Sequence, residues 1–138
     1  MCILKIHIES TSFKKFCETT NIPVFSVVDK GDRRGINRVS NTFVVSFDVS
    51  DAEWDSFSDQ VNDAIKFLTV NFYELNKLIA EVPDSDGYFD FTLYSRLNET
   101  IVNQNDHLPR ELVSLAGKLN LGIEMAIYSP EAFEQEGR

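Results

Sequence analysis

The chain has 138 residues, 43% of them hydrophobic and 25% charged, with a formal net charge of −9. This length suits a single domain that buries roughly two-thirds of its unfolded surface. The negative balance argues against a general nucleic-acid binder, whose phosphate contacts need a basic footprint, and favours a protein that meets basic surfaces.

Cys2, Leu4, Ile6 and Ile8 alternate with Ile3, Lys5, His7 and Glu9, which predicts a first strand with one strongly apolar face. Ser10 or Ser12 can cap a short helix carrying Phe13, Phe16 and Cys17, which must stop before Pro23. Val24 to Asp29 reads as a strand. A Gly-containing loop follows, in which Lys30, Arg33, Arg34 and Arg38 concentrate four of the 13 basic residues. Phe43, Val45, Phe47 and Val49 then alternate as a third strand.

Ser50 and Glu53 have the spacing of a capping box, so a helix is expected to open there. Trp54, Phe57, Val61, Ala64, Ile65 and Leu68 would form its inward face. On the outward face Asp51, Asp55, Asp59 and Asp63 recur every four residues. Like charges at that spacing repel by about 0.2–0.5 kcal/mol per pair, and no Lys or Arg between Asp48 and Lys66 offsets them. The helix N-terminus favours Asp51, but Asp59 and Asp63 lie beyond its reach. Such a stripe is either a solvated face or a surface offered to a basic partner.

The helical pattern breaks around Thr69 to Asn71, where Asn71 and Glu74 form a second capping pair for a shorter helix through Leu75, Leu78 and Ile79. Asp84 to Gly87 is a turn, and its Asp84 and Asp86 add to the acidic surface. Phe89, Phe91 and Leu93 mark a fourth strand, whereas Leu97 to His107 carries no periodic signal. Pro109 pre-sets the first turn of a helix through Leu112, Leu115, Ala116 and Leu119, closed by Asn120 or Gly122. Ile123, Met125 and Ile127 alternate into a last strand ending at Tyr128. Residues 1–128 thus read as one globular domain and 129–138 as an acidic, frayed tail.

The order β-α-β-β-α-α-β-α-β predicts an α+β fold. A single antiparallel or mixed sheet of about five strands should carry helices on one face, ferredoxin-like with an additional helix.

Catalytic chemistry finds little support. His7 and His107 are the only histidines and lie far apart, whereas a metal site needs clustered ligands. Cys17 falls on an apolar helix face, where free cysteine acts as a small hydrophobe. The Asp84–Gly87 turn has Val82 and Thr92 where an EF-hand loop needs ligands. No phosphate loop, dinucleotide fingerprint or nucleophile elbow is present. A non-enzymatic protein without cofactor or metal is expected. Two cysteines, no signal peptide and no apolar run of transmembrane length point to the cytoplasm, with reduced thiols and no membrane.

Several motifs stand in a familiar order: the loop Lys30-Gly31-Asp32-Arg33-Arg34-Gly35, the strand Phe43 to Val49, and the helix opened by acidic residues. Leu108-Pro109-Arg110-Glu111-Leu112, Leu119-Asn120-Leu121-Gly122 and Ile127-Tyr128 follow. Together they resemble an uncharacterised family of small bacterial proteins, a domain of unknown function similar in size to toxin-neutralising immunity proteins. The resemblance covers roughly residues 4–128. It implies an immunity protein that binds a cognate toxin domain, such as a basic nuclease, and neutralises it by direct contact. It implies no catalytic residues. On this reading Asp51, Asp55, Asp59, Asp63, Asp84 and Asp86 are the candidate partner contacts. The alternative is an enzyme or ligand-binding domain that takes an anionic small molecule at Lys30, Arg33, Arg34 and Arg38, because arginine forks bind oxyanions bidentately. The oligomeric state is not legible in the sequence.

Overall fold

The computed structural model describes residues 1–9, 17, 18, 20–33 and 35–132. The helix expected through Phe13 and Phe16 lies outside the described residues apart from Cys17 and Glu18, which are helical. Arg34 and the tail residues 133–138 also lie outside them, while Pro130–Ala132 forms a single 3-10 turn.

Each segment read as a strand becomes one: β1 (Cys2–Ile8), β2 (Val24–Val28), β3 (Phe43–Ser50), β4 (Asp86–Tyr94) and β5 (Gly122–Tyr128). They form one sheet in the order β2-β3-β1-β4-β5. β1 pairs antiparallel with β3 and β4, as β2 does with β3, whereas β4 and β5 run parallel. A parallel neighbour requires a crossover, which α2 (Arg110–Lys118) supplies; α1 (Phe57–Glu81) links β3 to β4. The fold is therefore α+β, a mixed five-stranded sheet with α1 and α2 on one face. β3-α1-β4 straddles β1, as a ferredoxin-like split β-α-β unit does, and β4-α2-β5 joins adjacent strands.

Register explains the core. Leu4 lies opposite Phe47 and Phe89, Ile6 opposite Val45, and Cys2 opposite Phe91, so the even positions of β1 share a face with the apolar rows of its neighbours. That face packs against Val61, Ala64, Leu68, Leu75 and Leu78 of α1 and Leu112 and Ala116 of α2 in one buried cluster. Phe57 meets Phe91 edge-on with ring centroids 5.4 Å apart. The opposite face is mixed, with Lys5, His7, Ser46 and Asp90 beside the buried Ile3 and Val44. There Lys5 Nζ donates to Asp90 Oδ2 at 2.9 Å. Burial opposes the charge on Lys5, but the bond to Asp90 and its negative charge outweigh that, and the lysine pKa is raised. His7 stacks on Tyr88 with the rings 12° from parallel.

Three local expectations are corrected. The helix opens at Phe57 and not at Ser50, because the hydroxyl of Ser50 is engaged elsewhere: it donates to Asp63 and accepts from Ala52 N. Residues 51–56 instead cross the end of the sheet, held by Tyr94 N donating to Trp54 O at 3.1 Å. Trp54 is therefore off the helix, half-buried between Tyr94 and Tyr128 at centroid distances of 5.0 and 5.3 Å. Secondly, α1 runs unbroken for 25 residues. Thr69 and Asn71 turn their side chains back to the carbonyls of Ile65 and Phe67 within the helix, and Glu74 accepts from Thr20 Oγ1. Thirdly, Pro109 is the N-cap of α2, one position earlier than expected. Asn120 ends that helix in a left-handed conformation (φ 57°), and Leu121 N returns to Ala116 O, closing the last turn.

Candidate partner-binding groove

The exit of β3 and the first turns of α1 meet at one end of the sheet, and the carboxylates of both elements converge there. Asp48, Asp51, Asp59 and Asp63 line an open groove of about 820 Å³. Its other walls include Asn21, Pro23 and Asn62, with Phe67 and Val70 as apolar surface and Lys66 as the cation. Val70 is 72% exposed, so the groove presents a bare aliphatic side chain beside its acids.

The groove is tied together by hydrogen bonds that the sequence did not foretell. Ser50 Oγ donates to Asp63 Oδ2 at 2.6 Å and so joins β3 to α1. Asp48 N donates to Pro23 O at 3.0 Å, which fixes the third wall. Met1 donates its amino group to Ala52 O at 2.6 Å. Burial, helped by the neighbouring charge of Asp51, pushes the Asp48 carboxyl above its ordinary pKa. Asp51 and Asp59 are exposed, and Asp63 is half-buried.

The six candidate aspartates do not form one stripe. Asp51, Asp59 and Asp63 reach the groove, the first from the loop and the others from α1. Asp55 opens instead onto a second cleft of about 410 Å³ with Phe57, Arg96, Asp106, His107 and Pro109. Asp84 and Asp86 stand past the far end of α1, a helix about 37 Å long at 1.5 Å per residue. Asp48 joins the groove although no helical pattern could single it out, since it belongs to a strand.

In the second cleft Arg96 Nη2 donates to Asp106 Oδ1 at 2.9 Å, and Gln104 Nε2 to Asp106 Oδ2 at 2.8 Å. Arg96 N also donates to Gln104 Oε1 at 2.8 Å. This network folds the stretch that showed no periodicity. Its order comes from bonds that Arg96 makes to side chains eight and ten residues away, a spacing that no helix or strand template registers.

Lys30, Arg33 and Arg38 are exposed on the β2–β3 loop, at the opposite end of β3 from the groove. The loop supplies its own acids: Asp29 Oδ1 accepts from Lys30 N at 2.9 Å and Asp32 Oδ2 from Asp29 N at 2.7 Å. Both cysteines are free. Cys2 is buried, Cys17 is half-buried against the core, and burial pushes both thiols up, away from the nucleophilic thiolate. Among the described residues no group of three or more His, Cys, Asp or Glu side chains is placed to hold a metal ion. No helix among them is long and apolar enough to cross a membrane.

No family model, curated protein or solved structure matches the chain.

Proposed function

We propose that this chain is a non-enzymatic binding protein whose acidic groove receives a basic segment of a protein partner. The observation that carries the proposal is the convergence of Asp48, Asp51, Asp59 and Asp63, from two elements and a loop, on one groove containing Lys66. Carboxylates that repel one another are tolerated most readily where a cation offsets them, and complementary charge speeds association and selects partners. Val70 and Phe67 supply apolar contact next to the charges, the mixture on which specific interfaces are built.

Together with the resemblance to small immunity proteins, the groove supports reading the partner as a cognate toxin domain, such as a basic nuclease, and the chain as its immunity protein in the cytoplasm. Neutralisation would follow from occupying the toxin's basic surface. The basic-loop alternative has less support, because Asp29 and Asp32 are folded into the same loop.

The test is to co-express the chain with the polypeptide encoded beside it. A stable complex that spares cells otherwise arrested by that polypeptide is the expected result. A complex that still forms and still protects when Asp51→Lys and Asp59→Lys are combined would contradict the groove as its binding site.

A further inference from the structure

β5 is an edge strand, and its chemistry is unlike that of a guarded edge. Among the described residues it is the last strand on its side of the sheet. Protected edges carry Lys, Pro or a bulge. β5 reads Gly-Ile-Glu-Met-Ala-Ile-Tyr, with regular register along its whole length and Glu124 as its single charge.

The backbone directions can be assigned. Ser95 N donates to Tyr128 O at 2.8 Å, which turns residue 128 toward β4. In a parallel ladder successive residues alternate, so Gly122, Glu124 and Ala126 also bond inward. The N–H and C=O of Ile123, Met125 and Ile127 then point away from the sheet. Above this edge, on the helix side, Leu97, Val102, Met125 and Ile127 share a surface groove of about 540 Å³. They are 53%, 84%, 40% and 54% exposed. Together they leave an apolar patch in water, the kind of surface that on a monomer is often functional.

We propose that β5 pairs antiparallel with β5 of a second copy about a two-fold axis at Met125, joining two five-stranded sheets into one. The register argues for a copy of the same chain. A two-fold at Met125 sets Met125 opposite its own counterpart and Ile123 opposite Ile127, so every outward-pointing residue meets another and both bonds of each pair can close. A shift by one residue would set outward groups against inward ones and lose the ladder. Glu124 falls opposite Ala126, which avoids a like-charge pair across the ladder. Tyr128 falls opposite Gly122, where an aromatic ring can cover the glycine. Such a contact is isologous and closed, as a symmetric dimer requires. The ladder adds Ile123 and the backbone edge to the contact made by the apolar patch, with Tyr128 on the other face of the strand.

The test uses the full chain in sedimentation equilibrium from low to high micromolar concentration. The parent should be a dimer. Met125→Lys and Met125→Glu should each be folded monomers by circular dichroism, with self-association weakened at least about 100-fold by like charges at the axis. Mixing the two variants should restore a dimer. Hydrogen exchange of the parent gives an independent reading. Amides of Ile123, Met125 and Ile127 should gain protection as concentration rises, while those of Glu124 and Ala126 are protected throughout. A parent that stays monomeric, variants that remain dimeric, a mixture that fails to associate, or concentration-independent exchange at the three outward amides would each overturn the proposal.

Discussion

At the scale of single residues, Gly87 and Asp48 show how a position acquires its meaning from distant neighbours. Gly87 reads as a turn residue in sequence, yet it is buried inside β4, where an added Cβ would stand 2.6 Å from Leu121 Cδ2. Leu121 is itself only 8% exposed and has little room to turn away. Gly87→Ala should therefore cost about 1–3 kcal/mol, read from the denaturant midpoint. Asp48 makes a prediction in pH. Its folded pKa is raised by burial and by the charge of Asp51, so its protonated form is the one the fold prefers. The penalty is absent below the ordinary carboxylate pKa and grows until the pH has passed the raised folded value. Asp48→Asn should therefore be more stable than the parent at neutral pH, with the advantage shrinking as pH falls through that window. Thermal melts of both proteins across the acid range would check it; a constant difference would contradict the assignment.

At the scale of elements, the strands were legible and the long helix only partly so. Period-two alternation survives wherever one face of a sheet is buried, and four of the strands show it, from Leu4-Ile6-Ile8 to Ile123-Met125-Ile127, whereas Val24–Val28 was legible from its β-branched and aromatic residues. The start of α1 was not legible because a local capping signal, Ser50 with Glu53, competed with contacts remote in sequence. Ser50 bonds to Asp63, and Gln60 Nε2 donates to Glu53 O and Thr92 O at 3.1 and 2.8 Å. The apparent break at Thr69–Asn71 misled for a similar reason. Polar residues that could cap a new helix instead bond back within the existing one. This yields a discriminating substitution. Tyr73 is 80% exposed, so little packing is lost on changing it. Proline would be tolerated there in the first turn of a new helix but costs about 3 kcal/mol or more inside a continuous one. Tyr73→Pro should lower the melting temperature accordingly; a change of a degree or two would mean that the helix is broken at Asn71.

At the scale of the whole molecule, charge is sorted between the ends of the sheet. The groove of Asp48, Asp51, Asp59 and Asp63 lies where β3 runs into α1, and the loop bearing Lys30, Arg33 and Arg38 lies at the start of β3. Sequence spacing found the acids of α1 but could not show that Asp55 diverges, because that depends on where the helix begins. Nor could it show how far Asp84 and Asp86 stand from those acids, because it divided in two the single helix that separates them. This separation allows the central claim to be tested within one molecule. The measurement is the association rate with the co-purifying partner at two ionic strengths, for the parent, for Asp51→Lys combined with Asp59→Lys, and for Asp84→Lys combined with Asp86→Lys. All four positions are exposed, so folding should be little disturbed. The groove pair should slow association about tenfold or more at low salt and flatten its salt dependence, while the far pair leaves both near the parent values. Equal slowing by the two pairs, or none by the groove pair, would contradict the groove as the binding site.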